Sequence, residues 1–166
     1  MTLAEAAAQA QQLAEAGDER ALADLRREWD EEVESAARDG DYRVRAQAFR
    51  AIAQFRYRQK LALLERGLAD ESPACRGSAL VALEALSRDA PGVVNGVRSA
   101  LHNLVSADPN DAVRRLAALS LKNGSAQRET IVLLSGIAAD DEESRDVRES
   151  AGKVAAALTK KSRTPR

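Results

Sequence analysis

The chain has 166 residues, 45% of them hydrophobic, 31% charged and only 3% aromatic, with 25 Lys and Arg against 26 Asp and Glu. It holds 34 alanines and 20 arginines against 9 glycines and 4 prolines, so good helix formers dominate and helix breakers are few. A lone Cys75 excludes a disulfide framework within the chain, a lone His102 leaves no His and Cys set for a structural zinc, and neither a long apolar run nor a signal-peptide pattern is present.

These features predict one all-α domain in a reducing, cytoplasmic setting, with no membrane span, no metal and no cofactor. Taken in chain order, a capping helix is expected over 2–16, ended by Gly17 and followed by the N-cap Asp18. Leu22, Leu25, Trp29, Val33 and Ala36 then recur at helical spacing, as do Leu61, Leu64 and Leu68, then Val94, Val97, Leu101 and Leu104, then Ile131, Leu134 and Ala138. Each stripe leads into a turn with helix-starting residues: Asp39-Gly40-Asp41, Asp70-Glu71-Ser72-Pro73, Asp108-Pro109-Asn110-Asp111, and Asp140 through Ser144.

After each turn comes the same short pattern: Val44-Arg45-Ala46-Gln47-Ala48, Cys75-Arg76-Gly77-Ser78-Ala79, Val113-Arg114-Arg115-Leu116-Ala117 and Val147-Arg148-Glu149-Ser150-Ala151. Seven residues past each arginine stand Ile52, Leu83, Leu121 and Ala155, so positions −1, +3 and +7 form one apolar stripe on a second helix. The unit is helix, turn, helix. It repeats over about 19–55, 57–87, 91–123 and 126–158, giving nine helices with the cap, a domain over 1–158 and a basic flexible tail over 159–166. Asn123-Gly124 reads as a helix stop with Gly124 left-handed.

The turns and the four (Val/Cys)-Arg-x-x-Ala starts resemble the HEAT-repeat family, in its short bacterial form. The resemblance implies a right-handed α-α superhelix, a HEAT-like solenoid of about four helix pairs, whose second helices line a concave binding surface. One helix pair cannot bury its stripe alone, and stacking about four buries a continuous core, which supports the same architecture on physical grounds.

No glycine-rich phosphate loop, nucleophile elbow or metal-spaced cluster is present, so no catalytic residue is expected. The HEAT-like DNA glycosylases and bilin lyases resemble the chain only at the level of the repeat. The recurring Arg45, Arg76, Arg114 and Arg148 read as a ladder of charge-assisted hydrogen bonds to turn acids, against ligand contact as the alternative. Cys75 and Trp29 read as core, and His102 as a residue without a nearby partner. The acidic run Asp140 to Glu143 reads as a solvated turn.

The favoured function is a non-enzymatic adaptor or regulator that binds a peptide or helix of another protein on the concave face. The residues expected there are Arg43, Gln47, Arg50, Gln54, Ser78, Val81, Leu116, Leu119, Ser150 and Lys153. The alternative starts from charge. Residues 1–41 carry 12 acidic and 4 basic side chains, whereas 42–60 carry 6 basic and none acidic. That basic band is either neutralised by the acidic first helices or binds nucleic acid through Arg43, Arg45, Arg50, Arg56, Arg58 and Lys60, with Tyr57 stacking on a base. The chain is expected to be a monomer or weak homodimer.

Overall fold

The computed structural model describes residues 1–164, all-helical apart from turns. The chain divides into two compact units, Met1–Leu86 and Ser87–Arg166; Pro165 and Arg166, the end of the expected tail, lie outside the described residues.

In the first unit, α1 (Leu3–Glu15) opens with a capping box. The Thr2 amide donates to Glu5 Oε2 at 2.7 Å, and the Glu5 amide donates to Thr2 Oγ1 at 3.2 Å. Gly17, at φ 73°, takes the left-handed conformation that ends this helix, and Asp18 then caps α2 (Glu19–Ala36). The expected stripe Leu22, Leu25, Trp29, Val33 and Ala36 is buried along α2. Next come α3 (Tyr42–Gln54), a 3₁₀ turn (Arg58–Lys60), α4 (Leu61–Leu68) and α5 (Pro73–Ser87, whose last residue lies past the unit boundary). α1 packs on α2 and α3, and α4 packs on α3.

α3 ends at Gln54 without a glycine or proline to stop it. Arg56 adopts φ 55°, a left-handed conformation that disfavours a residue with a Cβ, while the Tyr57 amide reaches back to the Ile52 carbonyl at 3.0 Å. Arg26 secures this bend from α2: its Nε donates to the Phe55 carbonyl at 2.6 Å, and its own carbonyl accepts from the Tyr57 hydroxyl.

The second unit contains α6 (Gly92–Gly96), α7 (Arg98–Ala107), α8 (Asp111–Ser120), α9 (Arg128–Ala138) and α10 (Arg145–Ser162). α7 and α10 pack on α8, and α10 packs on α9. Among the described residues there are ten α-helices rather than nine. The expected helix through Val94 to Leu104 is broken at Val97, where φ is −121°. The break lets Arg98 turn inward: it is 7% exposed and donates to Thr130 Oγ1 at 2.7 Å, to Ser125 Oγ at 2.9 Å and to Asn95 Oδ1.

Two further expectations are corrected. Gly124 is not left-handed; a Cβ there would stand 2.7 Å from Val94 Cγ1 and 3.2 Å from Arg98 Nη2, so the glycine serves close approach instead. The tail expected from 159 is helical through Ser162, because Leu158 is buried and Lys161 Nζ donates to the Gly124 carbonyl at 2.7 Å.

The second-helix stripe is where the repeat pattern places it. Cys75, Val113 and Val147 at −1 are buried and Val44 is half-buried; Ala48, Ala79, Ala117 and Ala151 at +3 are fully enclosed; Ile52, Leu83, Leu121 and Ala155 at +7 are buried.

Candidate partner-binding surface

The recurring arginines are consumed by structure. In all four turns an aspartate carboxylate accepts the backbone amide two residues on: Asp39 from Asp41 (2.7 Å), Asp70 from Ser72 (2.9 Å), Asp108 from Asn110 (2.9 Å) and Asp140 from Glu142 (3.0 Å). Arg45 donates Nη1 to the Asp39 and Gly40 carbonyls of its own turn, at 2.9 and 3.1 Å. Its Nε and Nη2 grip both oxygens of Asp70 in the next turn, at 2.8 and 3.0 Å. Arg76 repeats the first half, reaching the Asp70 and Glu71 carbonyls at 2.9 and 3.2 Å. Arg114 repeats the second half with a glutamate, pairing with Glu143 of the following turn. Glu143 is thus not merely solvated, although Asp140, Asp141 and Glu142 are exposed. Arg148 at the last turn has Asp141 at 3.8 Å. The Arg45 hydrogen bonds hold the Asp70 carboxyl below the usual range, against the opposing effect of burial.

The basic band is largely spent in the same way. Lys60 is 6% exposed and lies 2.8 Å from both Asp30 Oδ1 and Glu34 Oε1. Burial alone would lower its pKa, but the hydrogen bonds to those two carboxylates outweigh it and raise it. Glu34 is lowered in turn, first by Lys60 and then by Arg38. Tyr57 is 1% exposed, its ring against Phe55 and under Lys60, and burial pushes its phenol up. A base therefore cannot stack on Tyr57, and Arg45 and Lys60 cannot reach phosphates without abandoning their carboxylates. Arg56 is engaged at the bend and half-buried; Arg58 is exposed.

The ten residues expected on the binding face divide by helical angle. With about 100° per residue, the core positions −1, +3 and +7 centre near 300° from the arginine, so +5 lies nearly opposite the core while +2 lies only about 100° from its centre. The burial follows. At +5, Arg50, Val81 (47% exposed) and Lys153 face solvent, whereas at +2 Ser78 and Ser150 are buried, contrary to expectation, and Gln47 and Leu116 are half-buried. Leu119 is also half-buried, Gln54 donates to Gln11 Oε1 at 3.3 Å, and Arg43 is exposed with its guanidinium 5.6 Å over the Tyr42 ring. Arg50 donates to Ser78 Oγ at 2.9 Å, a neutral partner that leaves its charge uncompensated.

The remaining candidates behave as packing groups. Cys75 is enclosed, its thiol donating to the Tyr42 carbonyl at 3.1 Å and pushed up in pKa by burial. Trp29 is buried in α2. His102 does have a partner: its Nε2 is 2.9 Å from Thr130 Oγ1, and burial lowers its pKa. No helix among the described residues is long and apolar enough to cross a membrane.

Helix pairs joined by Asx turns, with one arginine per pair bridging to turns, define an all-α helical-repeat protein. Residues 31–103, less than half of the chain, match the family model of HEAT repeats, and the helix pairs found in each unit are consistent with a HEAT-like all-α fold. No curated protein matches it. HEAT repeats generally mediate protein–protein interactions and are typically not enzymes.

Proposed function

We propose that the chain is a protein-interaction module, an adaptor or regulator, that takes an acidic, partly apolar segment of a partner protein on the solvent face of the second helices α3 and α5. The observation that carries this is the contrast within α3. Arg45 is locked to Asp70, while Arg43 and Arg50, on the same helix, stay exposed without an ion pair among the described residues. In the same unit, Val81 and Tyr42 (46% exposed) add apolar surface. Exposed cations beside an apolar side chain suit a segment whose carboxylates set orientation and whose apolar residues supply contact area. Nucleic-acid binding is the weaker reading, since Arg45, Tyr57 and Lys60 are committed elsewhere.

The test is affinity capture with and without nuclease, comparing wild type with Arg43→Glu/Arg50→Glu/Val81→Glu. All three side chains are exposed, so the fold should be kept, with the Arg50–Ser78 hydrogen bond lost; Leu119, being half-buried, is unsuited to this purpose. A protein retained through nuclease treatment and lost with the variant is the expected result. Equal capture by the variant, or material that vanishes with nuclease, refutes the reading.

A further inference from the structure

The last helix pair leaves a trough on the second unit. Between α9 and α10 lies a groove of about 620 Å³ whose floor includes Ala139, Gly152, Ala155 and Ala156, and whose far end carries Lys160 and Arg163. α9 and α10 run close here: a Cβ on Gly152 would lie 3.5 Å from that of Ala138. Ala139 and Ala156 are exposed, as are Lys160 and Arg163, and among the described residues no carboxylate pairs with either cation. The trough therefore offers a methyl-lined bed for a helix and, at one end, two cations that no carboxylate of the described residues pairs with.

The chain itself carries a surface of matching character. The outward stripe of α1 presents Ala4, Ala8 and Gln12, all exposed, and ends at Glu15, with Glu19 exposed just across the Gly17 turn. Among the described residues Glu15 is engaged by the neutral Gln11 amide alone, at 3.1 Å. Alanines in a row let one helix backbone approach another closely, and the acidic corner would then meet the basic end of the trough. The charge distribution agrees, since residues 1–41 hold 12 acidic and 4 basic side chains.

We propose that α1 of a second copy of this chain docks in the α9–α10 trough, with Glu15 and Glu19 opposite Lys160 and Arg163. Each such contact pairs two different surfaces, α1 of one copy and the trough of another. It does not depend on the partner surface of α3 and α5.

Sedimentation velocity of the full chain over a range of concentrations, at about 30 mM and about 500 mM salt, tests it, because exposed charge pairs are screened across that range. Reversible self-association that weakens with salt is expected. Lys160→Glu/Arg163→Glu should weaken it about tenfold or more, and adding Glu15→Lys/Glu19→Lys should restore it. Ala156→Gln, an exposed and helix-compatible change, should fill the trough and abolish association while leaving the circular dichroism and melting temperature unchanged. A chain that stays monomeric throughout overturns the proposal. So does association that ignores Ala156→Gln, or that the charge exchange fails to restore.

Discussion

The Arg45–Asp70 bridge gives the sharpest test of how the repeats are joined. The Arg45 and Asp70 side chains are 12% and 9% exposed, and both guanidinium contacts lie at or within 3.0 Å. Asp70→Asn keeps an acceptor for the Ser72 amide but removes the counter-charge from a nearly enclosed arginine. Breaking a buried pair from one side costs about 3–5 kcal/mol, and the Asp39 and Gly40 carbonyls and the Glu71 carboxylate at 3.8 Å soften this to about 2–3 kcal/mol. Urea unfolding of wild type, Asp70→Asn, Arg45→Met and the double variant should give a coupling of about 1.5 kcal/mol or more. The pH dependence has a definite sign. Because the folded-state pKa of Asp70 is depressed, its contribution is fully present above the unfolded value near about 3.9 and is lost as pH falls through the lower folded value. The stability gap between wild type and Asp70→Asn should therefore close in strong acid. A loss below about 0.5 kcal/mol at neutral pH, or additivity of the two single changes, would refute the reasoning.

Two other outcomes follow from packing and titration. Gly67→Ala would place a Cβ 2.8 Å from that of Ala79 and 3.1 Å from the Phe49 ring, so it should destabilise by about 1–3 kcal/mol despite raising helix propensity; thermal melts showing stabilisation would contradict this. His102, whose pKa is lowered by burial, is held neutral in the fold more than in the unfolded chain, so stability should fall as pH drops below about 6.5. His102→Gln, which keeps a side chain able to bond Thr130, should flatten that part of the profile, and an identical slope in the variant would show the histidine is not responsible.

The helix pairs were legible because the signals are local and repeated. Asx turns and N-caps act within three residues, and a stripe at −1, +3 and +7 needs only helical geometry. What escaped the sequence depends on neighbours in space. Arg56 takes a left-handed conformation that no residue type announces, because Arg26 and Ile52 over-determine the bend. Gly124 reads as a stop signal, yet it is required by Val94 and Arg98 far back in the chain. Ser78 and Ser150, at +2, are buried because a position about 100° from the core centre still meets neighbouring structure, which the residue type alone does not announce.

The same geometry separates the repeat's structural residue from the position proposed for binding. The arginine sits about 60° from the core centre, close enough to be mostly enclosed yet able to send its guanidinium to the turn, where carbonyls and a carboxylate converge. A ligand could recruit Arg45 only by replacing Asp70 and two backbone acceptors together, a displacement that loses more than an exposed contact gains. Five residues on, the side chain is nearly opposite the core and bears no such duty, and there the repeats differ: Arg50, Val81, Leu119 and Lys153. Recurrence of the arginine in every copy thus marks what holds the turns, with Arg45 and Arg114 also reaching the turn that follows, while the residues at the position facing away from the core differ from copy to copy.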